Sequence, residues 1–256
     1  MDSLSQFSLQ GKRALVTGSS RGIGFAIAAA LAGAGADIVL NGRDTAALGE
    51  AAANLAAGGA RARGVAFDVT HAEGVREAVA HIEAEIGPID ILVNNAGMQH
   101  RAPLEDFPED MFARVMETNL NSVFLVGQAV ARHMIPRGSG RIINICSLLS
   151  TVARRTVAPY AASKAAVANL TRAMATEWAR HGINANGIAP GYFKTELNEA
   201  LVADPEFNAW VEGRTPMGRW GEVAELGGAA VFLASDASSF VNGHILYVDG
   251  AFMATV

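Results

Sequence analysis

The chain has 256 residues, half of them apolar and 18% charged, a globular composition that excludes an intrinsically disordered chain. Its 20 basic and 25 acidic residues leave a net charge of −5, so no global basic excess marks it for nucleic acid. Cys146 is the one cysteine and excludes an intrachain disulfide framework; no apolar run approaches the roughly 20 residues of a membrane span, and residues 1–10 lack the apolar centre of a secretory signal. The expectation is a cytoplasmic protein with neither a membrane nor a nucleic-acid partner.

In chain order, short apolar runs at 13–17, 37–41, 62–67, 89–94, 141–146, 184–189 and 244–248 predict strands. Several are rich in Val and Ile and are too short for helices. Between them, 22–34, 44–57, 71–86, 108–135, 159–181 and 222–234 read as helices, the first with Ile23, Ile27 and Leu31 at four-residue spacing. Continuous apolar strands alternating with helices fit a parallel, doubly wound α/β sheet covered on both faces. No linker, repeat or low-complexity tract divides the chain, so residues 1–256 read as a single domain. Residues 191–221 form the longest stretch without a strand, with a short helix near 205–213. A segment of that length beside a sheet edge predicts a lid over a substrate.

The first strand runs directly into Thr17-Gly18-Ser19-Ser20-Arg21-Gly22-Ile23-Gly24. Glycines permit a tight turn and let a diphosphate approach the backbone, while the following helix offers free N–H groups and the positive end of its dipole. The spacing G-x-x-x-G-x-G differs from G-x-G-x-x-G, and no Gly-Lys-Ser/Thr follows. At the end of the second strand, where NAD sites commonly carry a carboxylate, stands Asn41-Gly42-Arg43. An arginine there, with Arg21 in the turn, would pair with a 2′-phosphate and favours NADP(H); Asp44 one step later argues slightly against it.

Tyr160 and Lys164 stand four apart at the start of a predicted helix and share one face. An ammonium beside the phenol would lower its pKa from near 10 and make it a usable acid or base. The preceding strand ends in Ile145-Cys146-Ser147, so the Ser147 hydroxyl falls at a strand C-terminal edge, where open α/β sheets bind ligands. The histidines show no metal-site spacing, so no metal is expected.

Thr17–Gly24, Asp68-Val69, Asn94-Asn95-Ala96-Gly97, Asn119, Ser147, Tyr160 with Lys164, and Pro190-Gly191 with Thr195 stand in the order and spacing of one family. On these motifs the chain resembles the short-chain dehydrogenase/reductases along nearly all its length. The resemblance implies a Rossmann fold with a seven-stranded parallel sheet, and a homotetramer. It implies Tyr160 as general acid/base, Ser147 orienting the reacting oxygen, and Lys164 also holding the nicotinamide ribose. Asn119 would hold a water that relays protons to Lys164. For the cofactor it implies the turn residues Gly18, Ser20, Arg21, Gly22, Ile23 and Gly24, with Asn41 and Arg43 at the second strand end. Asp68 and Val69 would lie at the adenine, Asn95, Ala96 and Gly97 along the adenosine, and Pro190, Gly191 and Thr195 at the nicotinamide and diphosphate end. Further stretches at 101–105, 132–138, 189–193 and 214–221 resemble the sugar-acid dehydrogenases of that family, implying a sugar acid or the corresponding ketone as substrate; a reductase of β-ketoacyl thioesters or another sugar or polyol dehydrogenase is the alternative, and a non-catalytic NADP-sensing protein a more remote one.

A desolvated carboxylate needs a cation or several donors. Arg101 and Arg154, on loops at strand C-terminal edges, are the candidate partners. Tyr192, after Pro190-Gly191, joins Ser147 and Tyr160 as a substrate residue. Trp210 and Trp220 read as packing residues rather than sugar platforms.

Overall fold

The structure, a computed structural model, describes residues 3–255. In chain order the strands are β1 (Arg13–Val16), β2 (Asp37–Gly42), β3 (Ala62–Ala66), β4 (Ile91–Asn94), β5 (Gly140–Ile145), β6 (Ile183–Pro190), β7 (Phe193–Lys194), β8 (Gly221–Glu222) and β9 (Ile245–Val248). Seven of them form one parallel sheet in the order β3-β2-β1-β4-β5-β6-β9, while β7 and β8 pair only with each other. The winding reverses between β1 and β4, and a crevice at such a switch point is where open α/β sheets take their ligands.

Alternation along each strand sends neighbouring side chains to opposite faces. Leu15, Val39, Leu92 and Ile142 enter one apolar core. Ala14, Val16, Ile38, Leu40, Ile91, Val93, Ile143 and Ile145 enter the other. The first core is closed by α3 (Ala72–His81), α5 (Ser122–Arg137) and α6 (Ala158–Trp178), through Val75 and Val79, Val126 and Val130, and Val167 and Met174. The second is closed by α1 (Gly22–Gly33), α2 (Thr45–Ala57) and α9 (Gly227–Ala234), through Ile27 and Leu31, Leu48 and Leu55, and Ala230 and Leu233. Each fully buried Leu, Ile or Val contributes about 1.5–3 kcal/mol before conformational entropy is charged against it. That is why these strands read as unbroken apolar runs.

Two predicted helices are interrupted. The 71–86 stretch ends in a π-helical turn at Ile82–Ile86. The 108–135 stretch divides into α4 (Glu109–Met116), a π-helical turn at Glu117–Asn121, and α5. Helix α5 also runs past Pro136 and stops at Gly138, whose φ of +67° suits glycine. The 191–221 segment carries α7 (Glu199–Val202) and α8 (Pro205–Arg214), and its ends are drawn together by the β7–β8 pair. Trp220 anchors it: the indole is buried and its Nε1 donates to Asn208 Oδ1 at 2.8 Å. The prediction of a stretch without strands is therefore corrected. A two-residue strand is too short to leave a period in the sequence.

Candidate active site

The glycine turn joins β1 to α1. Gly18 and Gly22 both have φ of +60°, a region that L side chains rarely adopt. A Cβ on Gly24 would lie 2.4 Å from the Gly18 carbonyl oxygen and 2.5 Å from Asn95 Nδ2, so helix and turn touch backbone to backbone. A Cβ on Gly22 would meet nothing within 4 Å, so this side of the turn is open. An open glycine face at a helix N-terminus fits a diphosphate. Ser20 and Ile23 are half-buried in the turn, with Ile23 packed on the second core.

Two predicted cofactor residues turn their side chains inward instead. Asn95 Nδ2 donates to the carbonyls of Thr17 and Gly18 at 2.9 and 2.8 Å. The Thr17 hydroxyl in return accepts from the N–H groups of Asn95 and Ala96, at 3.0 and 3.1 Å. Asn41 is buried, its Nδ2 donating to Phe67 O at 3.0 Å and its Oδ1 accepting from Gly18 N at 3.4 Å. These amides brace the turn from behind. Spacing placed them beside the turn and could not say which way they point. Val69 is likewise buried in the first core, and Gly97 lies against Asn119 Oδ1.

The outer end, where the adenosine is expected, is charged. Asp68 Oδ1 accepts from Thr70 N and Thr70 Oγ1 at 2.9 and 2.7 Å. These bonds hold its carboxyl below the usual range, with Arg43 adding to the effect from nearby. Asp44 does not compete for the same space. It is the N-cap of α2, accepting from Ala46 and Ala47 N–H groups at 2.9 and 3.1 Å. Arg21 pairs across the crevice with Glu196, at 3.2 Å, in the turn just after Thr195. Both partners are exposed, so the pair contributes little. Pro190 ends β6, and Gly191 N donates to Val248 O at 2.9 Å.

Ser147, Tyr160 and Lys164 meet beyond the end of β5. Ser147 is buried; its Oγ accepts from Leu149 N at 3.1 Å, and its hydroxyl also interacts with the Tyr160 phenol. Lys164 is buried, 4% exposed, and its Nζ donates to Ile145 O at 2.6 Å while lying 5.8 Å from the centre of the Tyr160 ring. Burial pulls its ammonium down to about 8. The expected lowering of the Tyr160 phenol is corrected: its pKa is raised, because burial outweighs the pull of the Ser147 hydroxyl and of Arg154. The ammonium sits near the phenol, as the spacing implied, but is directed at a carbonyl.

Asn119 is fully buried in the π-helical turn. Its Oδ1 accepts from Met98 N at 2.7 Å, and its Nδ2 donates to Met98 O at 2.9 Å and Ser163 Oγ at 3.2 Å. Ser163 Oγ donates to Tyr160 O at 2.7 Å. The side chain predicted to hold a water thus ties the loop after β4 to the helix carrying Tyr160. Neither the π turn nor this clamp left a signal that pattern reading uses.

The loop cations converge. Arg154 Nη1 donates to Tyr192 OH at 3.3 Å, and its guanidinium lies 5.2 Å from the Phe207 ring centre and 5.9 Å from that of Tyr192. Its charge is felt both at Tyr160 and at Arg101, which burial and Arg154 together push downward. Among the described residues, neither Arg101 nor Arg154 pairs with a carboxylate. Arg154 lines a cleft of about 370 Å³ together with Leu148, Leu149, Tyr192, Trp210 and Phe252. Trp220 is buried; Trp210 is 44% exposed and borders this cleft while packing on the rings of Tyr192, Phe207 and Phe252, 5.7, 5.3 and 6.0 Å between centres. No group of three or more His, Cys, Asp or Glu among the described residues would hold a metal, and none of their helices is long and apolar enough to cross a membrane.

Known proteins share this arrangement. A family model described as enoyl-(acyl carrier protein) reductase matches residues 18–252. The gluconate 5-dehydrogenase of Gluconobacter oxydans is 60% identical over 244 residues, 95% of each chain. The 5-keto-D-gluconate 5-reductase of Escherichia coli is 53% identical over 250 residues, 98% of each. A crystal structure of a gluconate 5-dehydrogenase from Burkholderia cenocepacia in complex with NADP and tartrate superposes with a TM-score of 0.97 at 56% identity, covering 99% of each chain. Identity of this order along whole chains reflects common descent, and this chain belongs to the short-chain dehydrogenase/reductase family.

Proposed function

We propose that the protein is an NADP(H)-dependent oxidoreductase that interconverts D-gluconate and 5-dehydro-D-gluconate. The observation that carries the substrate class is the pair of guanidinium groups without a carboxylate partner, Arg101 and Arg154, which act on each other while Arg154 also acts on the Tyr160 phenol. Two cations close enough to repel call for an anion between or beside them. The polar reacting end and a remote carboxylate are what a sugar acid offers. The names of the relatives supply the particular acid.

NADP(H) is supported by Arg43 at the outer end of the crevice, by the engagement of Asp44 as the N-cap of α2, and by the NADP-bound relative. A bound nicotinamide dinucleotide accepts or delivers the hydride. The glycine turn would seat its diphosphate, with Pro190, Gly191 and Thr195 at the nicotinamide end. Tyr160 gives a proton to the carbonyl oxygen in reduction and takes it from the hydroxyl in oxidation. Ser147, its own oxygen already engaged by Leu149 N–H, donates to the same substrate oxygen and orients it. Lys164 adds positive charge below the phenol and supplies donors toward the cofactor ribose. Tyr192 braces Arg154, and the 191–221 segment covers the substrate. The same reading makes the enzyme a cytoplasmic homotetramer. Phe112, Phe124 and Phe240, all exposed, offer apolar surface for subunit contact, which the mass in solution tests.

The experiment is steady-state kinetics of Arg154→Ala with the sugar acid. Losing a charge-assisted hydrogen bond of about 1.5–3 kcal/mol should raise KM about 10- to 100-fold and change kcat much less. An unchanged KM would remove Arg154 from the site.

A further inference from the structure

Ser150 has no part in the reaction as proposed, yet it is bonded to two residues that do. The chain leaves β5 into a short 3-10 turn, Leu148–Ser150. Ser147 and Ser150 close this turn reciprocally. Ser147 N donates to Ser150 Oγ at 3.2 Å, and Ser150 N donates to Ser147 O at 2.9 Å. The Ser150 hydroxyl then donates its own proton to the carbonyl of Lys164 on α6, at 2.9 Å. One hydroxyl therefore accepts from the backbone of the residue that orients substrate and donates to the backbone of the lysine beneath the phenol. Leu148 and Leu149, buried between the two ends of the turn, hold it against α6 through Val157 and Ala161.

We propose that Ser150 is a positioning residue for the reaction, setting the Ser147 hydroxyl in register with the Tyr160–Lys164 helix. The inference rests on the oxidoreductase reading. A carbonyl has two lone pairs, so Lys164 O can accept from Ser150 as well as from the helix N–H above it. An alanine at 150 keeps the apolar packing of Leu148 and Leu149 and removes both bonds of the hydroxyl. The turn then keeps only its backbone closure, and Ser147 is free to shift relative to Tyr160. Displacements of about 1 Å cost up to about 100-fold in rate where groups must be aligned.

The test compares wild type, Ser150→Ala and Ser150→Thr, measuring kcat and KM for 5-dehydro-D-gluconate, NADPH affinity by fluorescence, melting temperature, and the pH profile. In Ser150→Ala, kcat should fall by about tenfold or more, with NADPH affinity held within about twofold. The Ser147 hydroxyl normally pulls the Tyr160 phenol down, so its displacement should also move the acid–base limb of the profile to higher pH. Ser150→Thr retains the hydroxyl and should recover most of kcat and the wild-type limb. The inference is overturned by a Ser150→Ala enzyme with wild-type kcat and pH profile. It is equally overturned by a loss that appears as weaker NADPH binding and a lower melting temperature with an unmoved limb, or by a Ser150→Thr enzyme no better than the alanine variant. Should the wild type reduce no ketone at all, the oxidoreductase reading fails first and this inference falls with it; wild-type turnover matched by Ser150→Ala removes the inference alone.

Discussion

Tyr160 and Lys164 show how one site sets two groups against their ordinary acidities for a single physical reason. Both lose water, so the phenol resists ionising and the Lys164 amine resists protonation. In the proposed mechanism the neutral phenol is the form that gives its proton to the ketone. Tyr160→Phe should lower turnover by about 100- to 10,000-fold while NADPH still quenches or shifts fluorescence as in the wild type. Turnover within tenfold of wild type would take Tyr160 out of the chemistry. Lys164 also makes a stability prediction. Its folded value of about 8 lies below its ordinary 10.5, so between these pH values the unfolded chain holds more protons than the folded one. Stability contributed through this group therefore rises with pH across that window. Melting temperatures of wild type and Lys164→Met, followed from pH 7 to about 10.5, should converge or cross in favour of the wild type as pH rises. A constant difference would mean that burial does not pull the ammonium below its ordinary value.

Among elements, the glycine turn and α2 make opposite demands of the same residue type. Gly24 sits where helix α1 touches its own turn, and a methyl group there would press on Gly18 O and Asn95 Nδ2. Gly24→Ala should both weaken NADPH binding by more than tenfold and lower the melting temperature, since overpacking costs about 1–3 kcal/mol. Gly49 lies inside α2, exposed, and a methyl group there would meet nothing within 4 Å. Gly49→Ala should instead stabilise the fold by about 0.5–1 kcal/mol with NADPH affinity unchanged, a difference visible in denaturant midpoints. The contrast also shows what a sequence can carry. Ile38, Val39 and Leu40 announce a strand because both faces are buried, and Thr17–Gly24 announces its turn through glycine spacing. The π turn at Glu117–Asn121 leaves the apolar rhythm of its helix intact, so it is hidden in the sequence and with it the hold of Asn119 on Met98. Asn41 and Asn95 stand beside the glycine turn where their spacing puts them, but their amides face the protein, because direction is decided by hydrogen-bond partners at the ends of β1 and β3.

At the scale of the molecule, the parallel sheet brings the ends of β1, β2, β4, β5 and β6 to one edge, so residues far apart in sequence share a crevice. Glycine turn, Ser147, the Tyr160 helix and the Pro190 loop are legible one by one, and the doubly wound order explains why they meet. The substrate side is less legible. Arg101 and Arg154 read as loop charges, whereas their convergence, the ring faces of Tyr192 and Phe207, and the exposure of Trp210 come from the folding of 191–221 over the sheet edge. Trp220 and the β7–β8 pair anchor that segment to the rest of the fold.

An anionic sugar ketone, reduced at the expense of NADPH, is the substrate on which the roles of these residues depend. The most direct test follows the absorbance of the reduced nicotinamide with the purified chain, offering 5-dehydro-D-gluconate and a β-ketoacyl thioester in parallel, each with NADPH and with NADH. Turnover of the sugar acid, faster with NADPH than with NADH and absent with the thioester, is the predicted result. Turnover of the thioester alone, or a clear preference for NADH, would contradict the roles of Arg101, Arg154 and Arg43.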